Sequence, residues 1–132
     1  MIPITRLFSI VLLVSLLLSA GAAMAMDTPT IQVPAPGATL GPNYDISGSM
    51  PHRAFLVVIT DCVRVDTGEV LRSVPGIRHW TNADGRFGFR CASPRVSFGD
   101  TTLTLEYHVR CFEVTASEGN GPEAVVNCRM AP

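Results

Sequence analysis

The sequence has no lysine. Its ten basic side chains are all arginine, one within the first six residues and nine after residue 25, where they face eleven acids. So even a balance gives no electrostatic reason to expect nucleic acid or an anionic membrane surface as a partner. Two cysteines separated by two residues are also missing, and the three histidines have no ligand-like spacing, which argues against a structural zinc site and leaves no cofactor indicated. After residue 25 almost nothing repeats at helical period. No apolar run is long enough to span a bilayer, which takes about 20 residues.

The apolar run that does exist, Leu7 to Ala20, follows a short basic start ending at Arg6 and precedes Ala23-Met24-Ala25, a small-x-small cleavage pattern. Those three features define a secretory signal peptide over residues 1–25, with no stable membrane insertion once it is removed. The expected mature domain is residues 26–132, secreted, periplasmic or held at the cell surface. A chain of that length can bury a core of its own.

Four cysteines, Cys62, Cys91, Cys111 and Cys128, all follow the cleavage point. An even number in an oxidising compartment predicts two disulfides with three possible connectivities. In the last two strands, placing Thr115 opposite Ala124 puts Cys111 opposite Cys128, close enough for a bond in an antiparallel pair. Cys62 and Cys91 are then left for each other. The rival connectivity joins Cys62 to Cys111 across two sheets, as antibody-type domains do.

Glycine, proline, asparagine and aspartate recur every 8 to 12 residues or so, the punctuation of an all-β chain. Short strands are predicted at Ile31–Val33 and Tyr44–Met50. Ala54–Arg64 is the most apolar segment after residue 25 and reads as a central strand covered on both faces. Asp66-Thr67-Gly68 reads as a three-residue hairpin loop with glycine at the bulge, and Val74-Pro75-Gly76 as a break in its second arm. Asn82-Ala83-Asp84-Gly85 is a second turn, between Ile77–Thr81 and Arg86–Cys91. Phe98-Gly99-Asp100 precedes the longest alternating strand. There Leu103, Leu105, Tyr107, Val109 and Cys111 share one face, while Thr104, Glu106, His108 and Arg110 share the other. Ser117–Pro122 is a loop, and Ala124–Met130 the last strand, with Val126, Cys128 and Met130 on one face. Seven to eight short antiparallel strands predict an immunoglobulin-like β-sandwich.

The stretches IQVPAPGATL and YDISG, with VVITD, TGEVL, ADGRFGF and GDTTLTLEY after them, resemble bacterial immunoglobulin-like domains, the spore-germination type included. That resemblance spans roughly Ile31 to Met130. It implies an extracytoplasmic spacer, adhesion module or binding module with no shared catalytic set. Four cysteines and a single module standing alone depart from that pattern.

Sharper readings compete at four places. Asp66-Thr67-Gly68 is the triplet that carries the catalytic aspartate of aspartic proteases. That chemistry needs two such loops sharing a proton, so one copy would serve only in a homodimer, and Glu69 adds a charge where a buried dyad wants none. Asn82 and Asp84 could begin a calcium loop, but no glutamate follows at the required distance. His52, His79 and His108 could be drawn as acid–base partners, but no serine or cysteine has a nucleophile's setting. Trp80 has two readings. The single tryptophan of a sandwich is ordinarily buried, and that is the expectation. Exposed beside Arg78 and His79, it would instead stack on a sugar or anchor a protein partner. The sequence thus predicts a non-catalytic binding or adhesion module with a protein or carbohydrate partner at the cell envelope, or else a subunit assembling through strand edges.

Overall fold

The computed structural model describes residues 26–95 and 103–132. The expected signal peptide, the turn at Phe98-Gly99-Asp100 and the start of the strand that follows it lie outside the described residues. Every regular element described is a strand: β1 (Thr30–Val33), β2 (Thr39–Leu40), β3 (Asn43–Ser49), β4 (Phe55–Arg64), β5 (Val70–Trp80), β6 (Arg86–Ala92), β7 (Leu105–Thr115), β8 (Gly119–Asn120) and β9 (Ala124–Met130). No helix among these residues is long and apolar enough to cross a membrane.

Two sheets pack together. One has three strands in the order β1-β3-β6; the other has six, in the order β2-β9-β7-β4-β5 with β8 on β7. All pairs are antiparallel except β2 with β9, which is parallel. Alternation decides which side chains meet between the sheets. Tyr44 and Ile46 face inward from β3, and Leu56, Val58 and Cys62 from β4. Tyr107, Val109 and Cys111 face inward from β7, and Val126 and Cys128 from β9. The Tyr44 hydroxyl crosses the gap to the Thr60 hydroxyl and ties the two sheets. Burial in this apolar layer raises the Tyr44 phenol well above its ordinary range, more than the Thr60 bond lowers it.

β4 is central, with β5 on one side and β7 on the other, and almost all of it is buried. Two expectations for its hairpin change. Val65 leaves the strand, so the loop has four residues, closed by Gly68 N–H donating to the Arg64 carbonyl (2.8 Å) and Arg64 N–H donating to the Glu69 carbonyl (2.9 Å). Gly68 takes the left-handed conformation (φ 71°) that such a loop needs. The second arm is unbroken, since β5 runs for 11 residues straight through Pro75 and Gly76. β5 lies at a sheet edge, where a residue without an N–H is tolerated. A register shift between Val57 and Ile59 lets Gly76 press against the Val58 carbonyl.

The final hairpin also differs from expectation. Cys111 faces Ala124, and Cys128 faces Tyr107, four residues away from the anticipated register. The turn comes early: Gly119, at φ 72°, pairs with Thr115. The Thr115 hydroxyl accepts a hydrogen bond from Glu118 N–H (3.0 Å) within that three-residue loop. A left-handed glycine closing a short loop fixes the register more firmly than the Asn-Gly-Pro run after it.

Candidate functional site

One end of the sandwich gathers the start of β4, the end of β5, the start of β6 and the last residues of β7. Direct pairing places Trp80 opposite Phe55 on the outer face of the larger sheet. Trp80 is 49% exposed, so the buried tryptophan expected of a sandwich is not found. The reason is positional: Trp80 is the last residue of an edge strand, and its side chain points away from the layer between the sheets. Its ring meets Phe55 edge-on at 5.5 Å, and the Arg53 guanidinium stacks 4.5 Å from its centre.

Trp80 forms a ridge between two grooves. The first, of about 500 Å³, is lined by Arg53, Phe55, Trp80 and the 113–116 segment. The second, of about 370 Å³, is lined by His79, Trp80, Asn82, Arg86 and the Phe87–Phe89 segment. His79 leans on Phe89 with ring centres 5.6 Å apart and donates its Nδ1 hydrogen to the Trp80 carbonyl (2.8 Å). The structure therefore brings together Trp80 and His79 of the three residues singled out in the sequence. Arg78 is on the same outer face, opposite Val57, but lines neither groove. Arg53 and Arg86 take the cationic places instead. Nothing in the sequence marked them, because the 50–54 loop and the 81–85 turn meet only through the topology.

Two arginines and one acid line the two grooves. Arg53, Arg78 and Arg86 are exposed and make no ion pair among the described residues. The one acid lining either groove, Glu113, is buried and already accepts a hydrogen bond from His52 Nε2 (3.0 Å), while His52 Nδ1 is 3.4 Å from Asp27.

The other candidates resolve into structural contacts. Asp66 sits on an exposed turn, where the Arg64 guanidinium donates to both carboxylate oxygens (2.7 and 2.9 Å) and so holds the carboxyl below its ordinary range. That shift opposes the raised value needed for a shared proton. The Asn82 side-chain oxygen is occupied in its own turn, accepting from Asp84 N–H (3.0 Å) and Arg86 N–H (2.9 Å). On the outer face of the larger sheet Ser73, Asp61, His108 and Asn127 form a row by direct pairing. Ser73 gives its proton to Asp61 (2.5 Å), Arg110 Nε also donates to Asp61 (2.7 Å), and His108 donates to Glu106 (2.6 Å). With its hydroxyl turned to a carboxylate, Ser73 lacks the histidine that would activate it. No group of three or more His, Cys, Asp or Glu among the described residues is placed to hold a metal ion.

The four cysteines are free thiols, all buried. Their strand positions correct the expected pairing. Cys111 and Cys128 lie on adjacent strands four residues out of register, about 13 Å apart along the strand, and the same holds for Cys62 and Cys111. Cys62 and Cys128 flank Tyr107 from either side, two strand spacings or roughly 9.5 Å apart. None of these three pairs fits the Cα separation of about 4.4–6.8 Å that a disulfide needs. Cys91 is on the other sheet, paired with Tyr44. Burial raises the thiols of Cys62, Cys91 and Cys128 and pushes Cys111 up to about 12, with Cys91 as a second cause.

A third groove, of about 400 Å³, opens at the opposite end between Leu40, Pro42, Arg95, Tyr107 and Met130. No known family, curated protein or solved structure matches the chain.

Proposed function

We propose that this chain is an exported, non-catalytic immunoglobulin-like domain that binds a partner at the cell envelope through the Trp80 end of its sandwich. One observation carries the reading: the single tryptophan, the most costly side chain to leave in water, is half exposed between two open grooves. A sandwich with an apolar layer this complete has no structural need for an indole on its surface. Exposed aromatic rings held rigid by neighbours are what recognition surfaces use. The signal-like N-terminus supports export, and the two packed sheets are compatible with the immunoglobulin-like layout that the sequence resembles.

The test is retention of the purified protein on immobilised envelope polysaccharides and envelope proteins, compared with Trp80→Ala. Retention that falls at least tenfold in the variant, with the fold intact by circular dichroism, is the expected result. Equal retention of both proteins contradicts the reading.

A second reading rests on β5, which exposes an 11-residue sheet edge able to pair with another copy. Pro75 at its middle removes a donor, and Arg72 and Arg78 place like charges along it, both of which discourage edge-to-edge pairing. Size-exclusion chromatography separates the two: an assembling subunit elutes as an oligomer, and a receptor domain as a monomer.

A further inference from the structure

We infer that the Trp80 end takes an acidic polysaccharide, a chain of sugar rings bearing carboxylates; the inference rests on the binding role proposed above. Two separate features of the site specify the two halves of that ligand. The indole, braced edge-on by Phe55 and covered on one face by the Arg53 guanidinium, offers its other face as a flat apolar surface of the size of a sugar ring, and it lines both grooves. A polymer of rings can therefore cross the Trp80 ridge and continue on either side of it.

The charge comes from the arginines. Arg53 borders one groove, Arg86 the other, and Arg78 stands two residues from Trp80 on the same face. Their guanidiniums have no carboxylate partner among the described residues, in a protein whose formal net charge is −1. Arg72, Arg95 and Arg129 elsewhere are likewise without an acid partner among the described residues, so what sets this end apart is that three such arginines surround one exposed indole. Arg64, Arg90 and Arg110 each pair with an acid, at 2.7, 3.7 and 2.7 Å. Guanidinium is the side chain best suited to grip a carboxylate with two parallel hydrogen bonds. Glu113, bonded to His52, opposes part of this field, one carboxylate against the two guanidiniums that line the grooves.

A peptide partner fits less well. Extended peptides are held by main-chain hydrogen bonds to a sheet edge, with side chains seated in pockets. Here Trp80 and Arg78 project from β5 onto the outer face and Arg53 comes from a loop, so the candidate contacts are side chains and not the main-chain edge of β5. The groove along Phe87–Phe89 is mostly aromatic and cationic, and the other adds only the small Val114, Thr115 and Ala116 as further surface for a side-chain anchor.

The experiment is affinity electrophoresis of the full chain through gels containing polygalacturonate, its fully methyl-esterified form, or poly-glutamate. The ester keeps the sugar ring and removes the charge; poly-glutamate keeps the charge and removes the ring. Retardation by polygalacturonate is expected, at least tenfold stronger than by either control. It should drop fivefold or more in Trp80→Ala and in the double variant Arg53→Gln/Arg86→Gln, and weaken with added salt. The double variant Arg72→Gln/Arg129→Gln, at residues that line neither groove, should behave as the parent and shows that the loss of two charges alone is not the cause. Equal, Trp80-dependent retardation by the ester overturns the acidic class while leaving a sugar-binding module. Equal retardation by poly-glutamate overturns the sugar. Absence of Trp80-dependent retardation in all three gels overturns this inference, while the binding role beneath it stands or falls separately on retention by envelope polysaccharides and proteins.

Discussion

Trp80 shows how one residue's neighbours in sequence can mislead about its place. A lone tryptophan beside Ile77 and Thr81 reads as core, because burying an indole is the largest single gain a small domain can make. What decides otherwise is that β5 is an edge strand and Trp80 its last residue, a fact of topology rather than of local pattern. The thiols carry a prediction at the same scale. Burial raises all four, Cys111 to about 12, above an ordinary value of 9.0. Below about pH 9 both folded and unfolded chains keep these protons, and the stability from burying neutral thiols is fully present. Above it the unfolded chain sheds protons that the folded chain retains, so stability falls with rising pH until the folded thiols themselves ionise. Cys111 alone accounts for about 2 kcal/mol between pH 9 and 10.5. Urea midpoints measured at pH 7 and pH 10.5 should therefore drop at the higher pH. An unchanged midpoint would mean that the thiols are not buried in the neutral form.

Among the elements, the strands with clean alternation were legible from the sequence. β3, β6, the described part of β7 and β9 all show their inward residues where period two places them. So was the central position of β4, from the most apolar run after residue 25. Two short strands, β2 and β8, were not, since two residues carry no period. Pro75-Gly76 read as a break because those residues break an interior strand, whereas an edge strand accommodates them. Register was the least legible feature. A four-residue shift of the final hairpin preserves every inward side chain, so alternation could not detect it, and Gly119 set it instead. That shift controls the cysteines. Non-reducing peptide mapping should find no Cys111–Cys128, Cys62–Cys111 or Cys62–Cys128 link, and any disulfide that forms must include Cys91. Recovery of a Cys111–Cys128 peptide would show that the hairpin pairs in the register first read from the sequence.

At the scale of the molecule, the outer face of the larger sheet and the Trp80 end differ. The network of Ser73, Asp61, Arg110 and Glu123 closes its own charges on the outer face. The Trp80 end leaves its arginines open, and no stretch of sequence announced that contrast. It arises because three separate segments, each unremarkable alone, are delivered to one place by the crossing of two sheets. Only Trp80, His79 and Arg78 were visible beforehand, as neighbours in one strand; Arg53 and Arg86 entered with the fold. The whole account therefore turns on whether that end is a surface. Because Trp80 is the only tryptophan, its fluorescence reports this site and nothing else. The most direct measurement is acrylamide quenching of the native protein, compared with the urea-unfolded chain. Emission to the red, with a quenching constant at least a third that of the unfolded chain, is the predicted result for a ring half open to water. Blue-shifted emission that acrylamide barely quenches would place Trp80 in the core and contradict the site.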